Sequence, residues 1–318
     1  MALLMIFYLP EIKANTEDDY LLYHTSVRKA EELIAEESFD LALQRYQQLF
    51  KTYSFVFLRD YKVATQLALH LNKRELAYNW LQLGIANGWT MNSIRSNKFL
   101  KELRTGDRWA SIKNKYDSLH TIYLTRIDLG LRSEINKMFK RDQSKALGAL
   151  FKLSSKGQDK YAERKFAPAN EIQVKRLDQL LDGSGYPGER LIGNDYWAQT
   201  IISHHNSISQ EYCKHRTMYH DMRPKLFAAV QAGEMAPHEL AIMDDWFTTV
   251  ESGWQTPSYG YLADLNEENL LKANHLRVKI GLRKIETRNG LIDVQQKTGI
   301  NFYLPAWPKK NGKIHLTR

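Results

Sequence analysis

The chain has 318 residues, 43% hydrophobic and 25% charged, with eight prolines and a single cysteine. That length supports a real core in one or two domains, and the composition excludes wholesale disorder, a collagen-like chain and a disulfide scaffold. The net charge of +9, from 45 basic and 36 acidic residues, favours polyanions only weakly, and no nucleic-acid-binding signature accompanies it.

The opening run Ala2-Leu3-Leu4-Met5-Ile6-Phe7-Tyr8-Leu9 is closed by Pro10-Glu11. Eight apolar residues are far short of the roughly twenty that span a membrane. No basic region precedes the run, as a secretory signal requires. The expectation is a cytoplasmic protein with no transmembrane segment, exported only if this run is a shortened signal.

Residues 25–116 read as helix throughout. Ala30, Leu33 and Ile34, then Leu41, Ala42, Tyr46, Leu49 and Phe50, recur at spacings of three and four. The short polar stretch Glu36-Glu37-Ser38-Phe39-Asp40 suits a tight turn between them. The arrangement returns with Ala64, Leu67, Ala68 and Leu71, a turn at Asn72-Lys73-Arg74-Glu75, then Leu76, Ala77, Trp80, Leu81 and Ile85. The two units are offset by 35 residues, Ala42 mapping to Ala77 and Leu33 to Ala68. Small side chains at those positions let paired helices approach closely. A period of this size with alanines so placed resembles the tetratricopeptide repeat. Thr65 and Gly84 depart from its pattern. Residues 91–119, with Phe99, Leu100, Leu103, Trp109, Ile112 and Tyr116, are expected to cap the array. Stacked helix pairs form grooves that take peptides or partner helices. The alternative is that these helices only brace the C-terminal domain.

Further on, a helix is expected through Asp142 and Gln143 to about residue 153, a loop at 154–158, and a helix bearing Ile172, Leu177, Leu180 and Leu181. A turn follows at Gly183-Ser184-Gly185-Tyr186-Pro187-Gly188. One long helix is expected over residues 195–219, another around Leu226, Phe227 and Val230, and a third opened by Pro237. Lys137, Lys140, Arg141 and Lys145 form one loose basic group. Lys152, Lys156, Lys160, Arg164 and Lys165 form a second, and Lys309-Lys310-Asn311-Gly312-Lys313 lies in the tail. All three read as solvated faces. Leu291-Ile292-Asp293-Val294 and Ile300-Asn301-Phe302-Tyr303-Leu304 have β-character and suggest a small hairpin in an extended arm.

Asp142-Gln143, Gly185-Tyr186-Pro187, Gly193, His205, Asp245, Tyr259-Gly260, and Arg277 with Gly281-Leu282 form a spaced series. Over residues 136–290 it resembles a bacterial domain family of unknown function. The family pattern runs Asp-Gln, Gly-aromatic-Pro, Gln-His, Asp-Arg, Gln-x-Tyr-Gly, then Arg-x-x-x-Gly-Leu. This chain departs from it with His204 before the histidine, Trp246 after the aspartate, Gln255 four residues before Tyr259, and Asn170 and Gln173 at an early polar pair. The resemblance implies a fold and a site location, not an activity.

His204 and His205 are neighbours on a helix and point about 100° apart. Ile201 and Ile202 put His205 on the inward face. A His205–Asp245 contact between packed helices could serve as a general base held by a carboxylate, as two metal ligands, or as a buried polar pair fixing register. Asp142, Gln143, His204, Trp254, Gln255, Tyr259 and Arg277 complete the candidate pocket. No metal site or cofactor motif is evident: no His pair has metal spacing, and the Gly183-x-Gly185-x-x-Gly188 series follows a helix rather than a strand. Cys213 reads as a core filler.

The whole is expected to be all-α. A tetratricopeptide-like helical region spans 1–120, a helical domain 121–290, and an extended arm 291–318. The leading expectation is an interaction module for a protein or peptide; the alternative is a hydrolase or other acid–base enzyme with a His/Asp site in the second domain.

Overall fold

The computed structural model describes residues 19–150, 154–215, 218–305 and 312–316. The apolar run at 2–9 and the basic stretch at 309–311 lie outside them. The described residues form sixteen α-helices and no sheet; their one isolated bridge joins Leu265 to Leu316. No helix among them is long and apolar enough to cross a membrane.

Helices α1 (Tyr20–Ala35) and α2 (Phe39–Thr52) form one hairpin, α3 (Leu58–His70) and α4 (Arg74–Ala86) the next. Ala30, Ala42, Ala64, Ala68 and Ala77 are buried, as close crossings demand. The 35-residue offset extends to backbone detail. Glu37 and Asn72 both take φ of 57° in the left-handed region. The amides that follow close the same turn, Ser38 N–H on the Leu33 carbonyl and Lys73 N–H on that of Ala68, each at 2.8 Å.

Next come α5 (Met91–Ser96), a 3-10 turn (Lys98–Leu103) and α6 (Gly106–Arg126), which packs on α4. The expected boundary at residue 120 falls inside α6. The second body comprises α7 (Leu129–Leu150), α8 (Ser155–Tyr161), a π-turn (Ala162–Phe166), α9 (Ala167–Gly183), α10 (Glu189–Ile192), α11 (Trp197–His205), α12 (Gln210–His215), α13 (Met218–Gln231), α14 (Pro237–Glu251) and α15 (Glu267–Lys279). Its core gathers Ile135, Val174, Ile201, Ile202, Leu226, Leu240 and Met243. Lys137, Lys140, Arg141 and Lys145 lie on the solvent side of α7, opposite Ile135 and Met138.

Three sequence expectations are corrected here. Residues 155–158 are not a loop but the start of α8, whose first turn is capped by the Ser154 hydroxyl accepting from Gly157 N–H at 3.2 Å. The long helix expected over 195–219 is broken at Asn206-Ser207, where the buried Asn206 side chain donates to the Met243 carbonyl at 2.9 Å. Residues 291–294 are no strand but part of α16 (Ile285–Thr298), in which Ile285, Arg288, Leu291 and Ile292 are buried at helical spacing.

Nor is the C-terminal segment a free arm. Leu291, Val294, Ile300 and Phe302 belong to the core of the hairpins. The extended stretch 300–304 lies along α3. The buried Gln66 amide accepts from Asn301 N–H at 3.0 Å and donates to Asn301 C=O at 2.9 Å, as a neighbouring strand would. The chain thus fills the face formed by α1 and α3 with its own α16 and tail.

Helix α1 also joins the two bodies. Gly233 and Gly281 sit directly under it. A Cβ at Gly233 would stand 2.3 Å from the Tyr20 ring, and one at Gly281 2.5 Å from His24 Cβ. Both have positive φ, so glycine serves the turn and the close approach together.

Candidate functional site

The sequence-predicted residues fall into three groups. The first is a buried polar chain. Asp142, on α7, is fully buried and bonds His204 Nδ1; it also accepts from Asn170 Nδ2 at 3.0 Å. Asn170 Oδ1 in turn meets His205 Nδ1 at 2.8 Å, and Gln143 donates to Asp142 at 3.4 Å. Four of the nine candidates therefore meet, bridged by Asn170. His205 is enclosed, with Tyr212 edge-on to its ring. His204 remains partly exposed beside Phe166.

The second group is Asp245, Tyr259 and Arg277. The expected His205–Asp245 pair does not form. Asp245 instead accepts from the N–H groups of Ser258 at 2.7 Å, Tyr259 at 2.8 Å, Tyr261 at 2.5 Å and Leu262 at 3.0 Å. Buried Arg277 donates to the Tyr259 carbonyl and lies over the Tyr261 ring. This is a clamp on a loop, not a reactive pair. The third group, Trp254 and Gln255, is exposed at the tip of that region, where Trp254 stands edge-on to Trp246.

The cleft lies elsewhere, where α3 and the tail meet α10 and α14. A cavity of about 270 Å³ is lined by Arg59, Lys62, Glu189, Asn194, Tyr196, Glu239 and Tyr303, among others. It runs into a narrower space of about 50 Å³ that reaches His24, Glu31, His238 and Arg283. Grooves between bodies are where ligands most often sit.

Two carboxylates line both spaces. Glu189 opens α10 and accepts the Leu58 N–H at 2.6 Å, capping α3 across the junction. Glu239 accepts from the Tyr186 hydroxyl at 2.9 Å and the Ala236 N–H at 3.2 Å. Neither forms an ion pair among the described residues. Burial pushes each carboxyl up from 4.5 to about 7. Lys62 faces Glu189 with no carboxylate in ion-pair range among the described residues; its Nζ lies 5.0 Å from the Tyr303 ring centre. Burial holds its ammonium below the usual lysine value. Burial also takes the imidazoles of His24 and His238 down to about 3, so both are neutral.

Glu239 has a direct consequence for stability. Its folded pKa lies above the unfolded one, so between 4.5 and about 7 the native state holds a proton that the unfolded chain has released. Its contribution to stability therefore falls as pH rises through that window, by about 3 kcal/mol in all. Glu239→Gln is expected to flatten that slope and to be the more stable protein at pH 8, measured by urea unfolding at pH 5 and pH 8. An unchanged slope would contradict the burial of this carboxyl.

No group of three or more His, Cys, Asp or Glu among the described residues could hold a metal ion. Cys213 is buried, its thiol donates to the Asn206 carbonyl and burial pushes it up to about 12, so it is not poised as a nucleophile.

No protein-family model, curated protein or solved structure matches the chain.

Proposed function

We propose that the chain is an acid–base enzyme acting on a small polar molecule in the junction cleft, with Glu189 and Lys62 as its proton-transfer groups. The hydrolases are the leading reaction class. One observation carries this reading: a carboxylate and an ammonium face the same 270 Å³ cavity without pairing. Burial brings the carboxyl to about 7 and lowers the ammonium. Opposed shifts of this kind bring an acid and a base closer together in proton affinity, as proton transfer between them requires. Tyr196, on the same wall, is suited to orienting the substrate.

The helix hairpins take a supporting part. Their α1 and α3 side already holds α16 and the 300–304 stretch, which favours bracing over capture of a partner peptide in that groove.

The test is a screen of the full chain on ester, phosphoester and amide reporters between pH 5 and 9, beside Glu189→Gln and Lys62→Met. Glutamine keeps an acceptor for the Leu58 amide, so folding should survive. Any turnover found should drop at least about 100-fold in both variants. Full turnover in both, or a Glu189 carboxyl that titrates by NMR in the ordinary carboxylate range, would end the proposal.

A further inference from the structure

On the other side of α10 lies a separate cavity of about 420 Å³, lined by Ser54, Arg126, Ser184, Arg190 and Glu234 among others. We propose that Arg126 and Arg190 form an anion site there, for a small molecule carrying a phosphate or carboxylate group. The site does not depend on the acid–base reading.

Two guanidinium groups share this cavity, and neither has a carboxylate in ion-pair range among the described residues. Aromatic rings hold them instead. Arg126 lies 5.0 Å from the Phe55 ring centre and 5.7 Å from that of Tyr123. Arg190 lies 5.3 Å from that of Tyr20 and 5.6 Å from that of Phe55. A stacked guanidinium is fixed in place while its edge keeps its donors for a planar acceptor. Those donors are underused. Among the described residues, Arg126 Nε and Nη2 have no acceptor, and its Nη1 reaches only the Arg190 carbonyl, at 3.4 Å. Arg190 Nη1 donates to the Ala232 carbonyl at 2.9 Å, an arrangement that leaves its charge uncompensated.

Burial holds the Arg126 guanidinium below its usual value; the Arg190 charge adds to this, while Glu189 opposes it. An anion between the two arginines would reverse that repulsion. Glu234 is the one acidic side chain among those lining the cavity, and its carboxylate accepts the Tyr186 N–H at 2.8 Å. The exposed Ser54 and Ser184 sit at the cavity's edge, where they offer further donors to a phosphate or carboxylate oxygen.

The experiment is calorimetric titration of the full chain with inorganic phosphate and, separately, with succinate. Ionic strength is held constant with chloride. Arg190→Gln and Arg126→Lys are run in parallel. Arg108→Gln, which touches only the exposed pair with Glu75, is the control. Saturable binding of at least one anion is expected, at least tenfold weaker in Arg190→Gln, weakened in Arg126→Lys and unchanged in the control. Tighter phosphate binding would mark a phosphorylated ligand, and tighter succinate binding a carboxylate. Absence of saturable binding of either anion, or binding unchanged in Arg190→Gln, would overturn the proposal. Arg190 is only partly buried and its replacement should fold, so a failure of Arg126→Lys to fold leaves the test decisive.

Discussion

Replacing Glu31 by alanine is expected to cost about 3–5 kcal/mol, the penalty of leaving a buried charge without its partner. Glu31 sits on α1 with its side chain 1% exposed. Both its oxygens are taken by Arg283 from the second body, through Nε and Nη2 at 2.5 Å each. Arg59, on α3, bonds the same carboxylate and reaches Asp60 at 3.2 Å. Asp60 is in turn held by the Tyr23 hydroxyl at 2.6 Å. Two carboxylates and two guanidiniums therefore balance in a nearly dry space where the hairpins meet the second body. Burial alone would push the Glu31 carboxyl up, but the two guanidiniums more than reverse this and hold it below 4.5. Its stabilisation is thus present above the unfolded value and is lost as pH falls through the folded one, opposite in sign to that of Glu239. In Glu31→Ala both arginines lose their shared counter-charge. The melting temperature should drop by about 5–7 °C, measured by calorimetry. The double variant Glu31→Met/Arg283→Met should recover part of the loss, because a buried pair replaced as a unit leaves no orphan. A drop of under about 1 kcal/mol in Glu31→Ala would show that water reaches this cluster.

The helix hairpins were legible because their determinants are local. Alanines at crossings and a polar turn at a fixed offset are features of a short window, and Glu37 and Asn72 repeat even in backbone conformation. The cleft was not legible. Lys62, Glu189 and Glu239 lie on three segments far apart in sequence, and each is unremarkable in its own window. Their shifted acidities arise from burial, which exists only in the folded chain. One weak signal was present: Glu189 directly follows the Gly185-Tyr186-Pro187-Gly188 turn, and Glu239 follows the Pro237 that opens α14. The spaced series at Asp142, His205, Asp245, Tyr259 and Arg277 did mark buried polar positions, yet it did not pair them correctly. Helices α11 and α14 do pack together. The contact between them that closes with a hydrogen bond is Asn206 to the Met243 carbonyl, one residue beyond His205. Helical phase then leaves Asp245 turned toward the loop rather than toward His205. The C-terminal stretch was misread because Leu291-Ile292-Asp293-Val294 is a short apolar run. Such runs do not separate strand from helix until their flanks are known.

Asp245→Ala is expected to cost about 4 kcal/mol and to release the loop between α14 and α15. That loop has almost no regular structure, so its backbone N–H groups need partners outside any helix or sheet. One carboxylate supplies four of them, at Ser258, Tyr259, Tyr261 and Leu262. Tyr259 and Tyr261 are buried, so their amides could not turn to water without moving two rings out of the core. Each buried donor left unmet costs about 1–3 kcal/mol. A second loss comes from Arg277, which is fully buried and has no ion pair among the described residues. Burial depresses its guanidinium; the nearby Tyr261 and, behind it, the charge of Asp245 act the other way. Removing Asp245 leaves that cation with backbone carbonyls and a ring. Asp245→Asn should fall between the wild type and alanine, because the amide keeps one acceptor oxygen but sets its own N–H₂ against two amide donors. Hydrogen exchange at Tyr259, Tyr261 and Leu262 should accelerate in the order wild type, asparagine, alanine. The amides of α2 and α4, distant from the loop, should slow or quicken only with global stability. If all three loop amides keep their protection in Asp245→Ala, the carboxylate is not what holds the loop.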